Sequence, residues 1–277
     1  MLVLKGAPLG SQYYGNPALR PLSDVDLAVP DRDASRASKL LVDMGWRPYW
    51  VPTADLFRFK HATEFYGPKG EEFDLHWRSL LEFADPRADD EFRSHAVPFE
   101  FLERHVRIPD ATRMLMHTVV HGVRWNLEPP VRWIADALTI LRVSGGEIKW
   151  HEIAAFAGRW QLSYRLGLGL SYLARYFDAP IPSYVLVELE RRLPTLIERI
   201  EARSILCNGT ELHRKTFGPL LSPLCGYARF SVGHNPVRIA AEFPSFLRFW
   251  WGLRRRREIV TYIARGMRNR FLRNIHA

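Results

Sequence analysis

Cysteine is nearly absent: Cys207 and Cys225 are the only two in 277 residues, and they show no metal-ligand spacing, so the chain is neither a disulfide scaffold nor a cysteine zinc site. Long apolar runs are missing too. No stretch reaches the roughly 18 uninterrupted apolar residues of a membrane-crossing helix. Met1-Leu2-Val3-Leu4-Lys5 lacks the basic start, apolar run and cleavage site of a signal peptide, and the expected address is the cytoplasm. No internal repeat and no low-complexity linker is present. Net positive charge is scarce outside the end of the chain: the net charge is +9, and residues 238–277 hold ten Arg and no Lys against Glu242 and Glu258, which leaves everything before them nearly neutral. The pI of 9.8 therefore describes a tail. With 47% hydrophobic residues, the chain is long enough to bury a large core in two packed units.

Against these absences stands Arg20-Pro21-Leu22-Ser23-Asp24-Val25-Asp26-Leu27-Ala28-Val29. Successive side chains of a strand point to opposite faces, so Asp24 and Asp26 emerge together while Val25 and Leu27 point into a core. Like charges this close are costly unless a cation neutralises them, and hard oxygen ligands select Mg²⁺ or Mn²⁺. A third acid, Asp74, lies in a second alternating segment, Glu72-Phe73-Asp74-Leu75-His76-Trp77. Spacing alone leaves two readings open, a metal site and an ordinary strand edge.

The wider pattern resembles a known family. Leu4-Lys5-Gly6-Ala7-Pro8-Leu9, Tyr13-Tyr14, the Asp24/Asp26 segment, Phe73-Asp74-Leu75-His76-Trp77, Leu115-Met116-His117-Thr118-Val119-Val120-His121-Gly122 and Val131-Arg132-Trp133-Ile134-Ala135-Asp136 look like the signature of the uncharacterised nucleotidyltransferase family, over about the first two thirds of the chain. The resemblance implies a fold similar to the DNA polymerase β type nucleotidyltransferase core. It implies Gly6 as the turn glycine for a nucleoside triphosphate, Asp24 and Asp26 as paired metal ligands, and Asp74 as the third carboxylate. Two departures are visible: the superfamily's Gly-Ser or Gly-Gly turn is Lys5-Gly6-Ala7 here, and the chain starts almost on the Lys-Gly strand, where family members carry a preceding helix.

Period and punctuation give the organisation. Strands are expected at Met1–Leu4, Val25–Val29, Trp46–Val51, Phe57–Glu64 and Glu72–His76, with a hairpin turn at Gly67-Pro68-Lys69-Gly70. Short helical spacing covers Pro8–Tyr14, and Asp33 opens a helix that Gly45 stops. From Pro109 the strands disappear, and Asp110–Arg124, Val131–Val143, His151–Trp160, Ser163–Phe177 and Pro182–Arg203 all read as helices. The expected fold is α+β: a small mixed-sheet nucleotidyltransferase core over residues 1–107, an all-helical domain over 108–205, and an Arg-rich, aromatic helical segment over 206–277.

On the family reading, Asp24 and Asp26 hold one Mg²⁺ (or Mn²⁺) that grips the triphosphate, and with Asp74 a second that activates an acceptor hydroxyl. The acceptor is a small molecule, peptide or protein. Backbone N–H groups at Gly6 and Ala7 bind phosphate, with Lys5, Arg20 and Ser23 as further nucleotide contacts. The resemblance also suggests that His117, His121, Arg124, Trp133 and Asp136 face the cleft. His117 and His121, four apart, have zinc-ligand spacing but lack the Glu of His-Glu-x-x-His, which favours buried histidines. His76 and Trp77 either line the site or, for Trp77, cap the sheet. The aromatic stripe from Phe243 to Leu253 beside Arg254–Arg257 suits an anionic membrane surface, which would make the protein peripheral at the inner face of the membrane, or RNA, or packing of a terminal helix on the helical domain. Two other function classes remain open: a phosphotransferase on the same site, and a non-catalytic nucleotide-binding or membrane-associated interaction protein.

Overall fold

The computed structural model describes residues 1–22, 24–83, 85–101, 103–124, 131–200, 222–231 and 235–264. Strands β1 (Leu2–Leu4), β2 (Val25–Ala28), β3 (Arg47–Pro48), β4 (Ala62–Tyr66) and β5 (Glu72–His76) form one mixed sheet in the order β1-β2-β5-β4-β3. Only β2 and β5 run parallel, and they are neighbours. Alternation divides the sheet cleanly. Phe65, Phe73 and Leu75 are buried on one face with Val25 and Leu27, against Ala37 and Leu41 of helix α2 (Ala34–Asp43). The opposite face receives Leu2, Leu4 and Ala28, which join the main core, and between them the acids.

Helix α2 ends where Gly45 takes a left-handed φ of 89°, as expected from the glycine. The segment expected to be a strand from Phe57 is instead helix α3 (Ala54–Phe59) followed by β4. Thr53 accepts a hydrogen bond from the Leu56 N–H (3.2 Å), and this cap outweighs the strand-like alternation of Phe57 and Phe59. Trp46–Val51 shrinks to the two residues of β3, and the first helical stretch is a short α1 (Gly6–Pro8) that widens into a π-helical turn over Leu9–Tyr13. Helix α4 (Pro86–Ser94) and a ribbon of β6 (Ala96–Phe101) with β7 (Arg104–Pro109) complete the part before the helices.

Beyond the ribbon come α5 (Ala111–Gly122), α6 (Arg132–Ser144), α7 (Trp150–Arg159) and α8 (Ser163–Phe177), close to the expected spans, and α9 (Ser183–Arg191), which stops short of the expected Pro182–Arg203 where the chain leaves the helix before Pro194. Asp110 caps α5 by accepting from the Arg113 N–H at 2.8 Å. Eleven of the twelve α5 residues are buried, because the sheet lies on one side and the other helices on the rest. Gly122 is required there: a Cβ would lie 2.0 Å from the Trp133 ring.

Two further helices, α10 (Ser222–Phe230) and α11 (Pro236–Trp250), return to the sheet end of the molecule. The aromatic stripe turns inward, onto α3 and α10. Phe246 and Phe249 meet Phe59 (ring centroids 5.4 and 5.8 Å), Phe243 meets Tyr227, and the ion pairs Arg248–Asp55 and Arg58–Glu242 fasten the contact. Arg254–Arg257 remain exposed. Among the described residues no helix is long and apolar enough to cross a membrane.

Candidate functional site

The parallel pairing of β2 with β5 sets Asp26 directly opposite Asp74, and the β4–β5 pairing sets Glu64 opposite Asp74. Three carboxylates therefore cross three adjacent strands in one row, on one face. His76 shares that face, two residues beyond Asp74, with Ala28 and Ala62 as its cross-strand partners. Its Nε2 lies 2.9 Å from Asp26 Oδ1 and 4.0 Å from Asp74 Oδ2. Lys5 Nζ reaches the same Asp26 Oδ1 at 2.5 Å. Asp26, Asp74 and His76 each offer one ligand atom, all within 4.8 Å of one another, an arrangement that can hold a metal ion. Asp24 precedes β2, half-buried and outside that trio, yet its charge is felt at Asp74.

Neighbours decide the electrostatics. Burial pushes the Asp26 carboxyl up, but the His76 hydrogen bond and the Lys5 ammonium outweigh it and hold the group well below the usual carboxylate range. Asp74 goes the other way: burial, then the charge of Asp26, and further those of Asp24 and Glu64, push it up to about 6 against the pull of Lys5. Burial lowers His76, so its imidazole is neutral near pH 7.

Lys5 sits on a sparsely populated backbone conformation, φ 49° and ψ −117°, at the turn between β1 and α1. The following Gly6 admits no side chain, since a Cβ would lie 2.4 Å from Leu22 Cδ2 and 2.6 Å from Arg20 Nη1. Ala7 is buried in a small cluster with Val3 and Ile108. Arg20 presses on the Gly6 turn and is itself held by a two-point fork onto Asp136 (Nε–Oδ1 3.0 Å, Nη2–Oδ2 2.9 Å), which also accepts from Tyr14 Oη at 2.9 Å. Ser23 lies outside the described residues.

Two cavities meet at Lys5 and His121, which line both. The larger, about 460 Å³, is walled by Arg20, Arg132, His117, Trp133 and Asp136; the smaller, about 230 Å³, by Asp74, His76, Glu64, His61, Lys60, Trp50 and Arg124. The cleft residues suggested by the resemblance are thus all present around it. His117 and His121 stack at 6.0 Å, and His117 Nε2 bonds the Ser79 carbonyl at 2.9 Å, so this pair is structural in its contacts. Trp77 is fully buried and donates Nε1 to the Phe57 and Lys60 carbonyls, so it packs the sheet end and does not line the site. Glu64 and the Trp50–Lys60–Trp250 contact, with Lys60 Nζ 5.3 and 4.8 Å from the two rings, carry no signature in the sequence; the Glu64 pairing follows only from counting back across the 67–70 turn.

Residues 1–178 match the family described as uncharacterised nucleotidyltransferase, a span that includes the carboxylate row and every residue lining the two cavities, whereas α10 and α11 lie beyond it. No curated protein matches the chain.

Proposed function

We propose that this chain, which belongs to the uncharacterised nucleotidyltransferase family, transfers a nucleoside monophosphate from a nucleoside triphosphate to an acceptor hydroxyl. The observation that carries this reading is the Asp26–Asp74 register with His76 alongside, in contact with Lys5, which lines both cavities. A divalent cation fits the donor set: burial first, and then the charge of Asp26, push Asp74 up to about 6, and a cation between the two carboxylates offsets both. Asp26, Asp74 and His76 would hold it, with Asp24 as a ligand of a second ion in a two-metal arrangement. When bound, such ions neutralise triphosphate oxygens and lower the pKa of the acceptor hydroxyl.

The chain's own groups divide the remaining work. The larger cavity is the donor side, with Lys5 and Arg132 for phosphate charge and Trp133 as a flat apolar face for a base. Backbone N–H groups of the Gly6-Ala7 turn contact phosphate oxygens without a serine. Arg20, engaged by Asp136, acts on the nucleotide by fixing that turn. The smaller cavity is the acceptor side. There Asp74 takes the proton from the acceptor hydroxyl, whose oxygen attacks the α-phosphorus. The bond from the α-phosphorus to the bridging oxygen breaks, and pyrophosphate leaves with its charge against Lys5.

Incubation with Mg²⁺ or Mn²⁺, each nucleoside triphosphate and acceptor mixtures, followed by mass analysis, tests the reading. Products heavier by a nucleoside monophosphate are expected. Products heavier by one phosphate would replace it with phosphoryl transfer by the same site, and nucleotide binding without product would leave a binding protein. Asp26→Asn and Asp74→Asn each lower the rate about a thousandfold or more, the scale of several kcal/mol of lost charge stabilisation. Full activity in both variants sinks the enzyme.

A further inference from the structure

We infer that His76 is itself a metal ligand, completing an Asp26–Asp74–His76 site that prefers Mn²⁺ to Mg²⁺, and that the ion enters by displacing the Lys5 ammonium from Asp26. This deepens the transfer reading and rests on it for the location of the site, while metal binding is observable without turnover.

The geometry of the imidazole comes first. His76 lies on the same strand face as Asp74, and its neighbours on both flanking strands are alanines, Ala28 and Ala62, which leave the ring room over the row. Its Nε2 is directed between the carboxylates, 2.9 Å from one and 4.0 Å from the other, and all three candidate donors lie within 4.8 Å. Two donors that share an ion at about 2.1 Å stand at most about 4.2 Å apart, so the 2.9 and 4.0 Å separations from His76 admit one, and the two carboxylates close on it by a few tenths of an ångström at most. A nitrogen in the donor set then selects the ion. Mg²⁺ favours oxygen ligands and retained waters, whereas Mn²⁺ and later first-row ions accept imidazole with carboxylate.

Lys5 supplies the second part. Its Nζ occupies Asp26 Oδ1, the oxygen that His76 also touches, so the ammonium fills the cation position of the metal-free site. It is held there on a strained backbone, φ 49° and ψ −117°. Lys5 also lines the larger cavity, so release from Asp26 turns the ammonium toward the triphosphate side. Removing Lys5 therefore has opposite effects on the two ligands: nucleotide loses a counter-charge, and the metal loses a competitor.

The experiment uses the full chain without nucleotide, titrated with Mn²⁺ and with Mg²⁺ and examined by calorimetry and by pulsed electron paramagnetic resonance. Mn²⁺ is expected to bind at least tenfold tighter than Mg²⁺ and to show ¹⁴N coupling of a ligated imidazole, which converts to ¹⁵N coupling in protein labelled at histidine. His76→Gln loses the coupling, whereas His61→Gln keeps it. Lys5→Met keeps the coupling and binds Mn²⁺ about tenfold tighter than wild type. Bound Mn²⁺ without nitrogen coupling in the wild type, or no Mn²⁺ binding, overturns direct ligation; equal Mg²⁺ affinity overturns the preference; and Mn²⁺ affinity unchanged or weaker in Lys5→Met overturns displacement. If His76→Gln does not fold, coupling that persists in both His61→Gln and His121→Gln, the other imidazoles lining the smaller cavity, assigns it to His76, and its loss in either overturns that assignment. Nitrogen coupling in a protein that yields no product with any triphosphate would support the metal site and remove the transfer reading alone.

Discussion

Two buried carboxylate centres in this molecule resolve the same problem in opposite ways. Glu82, in the loop after β5, is fully buried, and burial raises its pKa; yet Arg124 and Arg165 hold it well below the carboxylate range, with contacts of 2.9 and 2.7 Å. One acid faces two guanidinium groups, and the loop is thereby tied to the end of α5 and to α8. Across β2, β5 and β4 the ratio is inverted: of three acids in register, Asp26 has the Lys5 ammonium and the His76 imidazole, Glu64 has Lys60 nearby, and Asp74 rises to about 6. Burial acts in the same direction on both. What separates them is whether the chain supplies its own counter-charge. The first centre is complete as folded and serves stability, whereas the second is short of positive charge and has a use for a ligand that brings it.

The comparison breaks most visibly at Glu82. Glu82→Gln leaves buried guanidinium groups without their carboxylate and is expected to cost about 3–5 kcal/mol, read as a lower urea midpoint at unchanged slope. A cost below about 1 kcal/mol would mean that Glu82 is not the staple its contacts describe. A smaller effect sharpens the boundary between the centres. His117 bonds the Ser79 carbonyl beside the Glu82 loop, and burial, with Lys5 adding to it, lowers its pKa from the ordinary 6.5 to about 3. The unfolded chain takes up this proton below about 6.5 and the native protein does not until about 3, so stability present above 6.5 declines through that window. The slope is about 1.4 kcal/mol per pH unit for one group. His117→Gln, which keeps a donor for Ser79, removes one group's share of that slope in denaturation curves between pH 4 and 6. An unchanged slope would place His117 with the exposed histidines.

Much of the second centre was legible in the sequence. Asp26, Asp74 and the strands that hold them follow from alternation, and the helices α5 to α8 from period, whereas α9 ends twelve residues before the expected Arg203. Asp24, expected beside Asp26, stands outside the closest trio, because the strand pairing begins only at Val25. His76 was visible two residues after Asp74, but local pattern does not distinguish a ligand from a lining residue. Counting back from the 67–70 turn pairs Glu64 with Asp74, but the alternation from Phe57 favours a strand where the Thr53 cap starts a helix, and this blurs where β4 begins. The Arg20–Asp136 fork and the Arg248–Asp55 contact join residues 116 and 193 positions apart, and no local signal encodes such pairs. The first centre carries no local signal for the same reason, since Glu82 meets Arg165 across 83 positions.

The smallest expected effect has the least ordinary sign. In the metal-free protein Asp74 titrates at about 6, above its ordinary 3.8, so between those values the native state holds a proton that the unfolded chain has lost. The stability linked to that proton is present at low pH and is lost as the pH rises through about 6. Asp74→Asn cannot lose it, and at pH 7 the variant is expected to be more stable than wild type by about 1 kcal/mol, allowing for solvent screening of a half-buried group. Melting curves with chelator at pH 4.5 and 7 measure this as a gain at the higher pH only. Added Mn²⁺ should reverse the order, because an ion that binds the folded row stabilises the wild type by mass action and finds a weakened site in the variant. Loss of stability on Asp74→Asn at pH 7 without metal would show that Asp74, like Glu82, is already satisfied by the fold, and the contrast between the two centres would collapse.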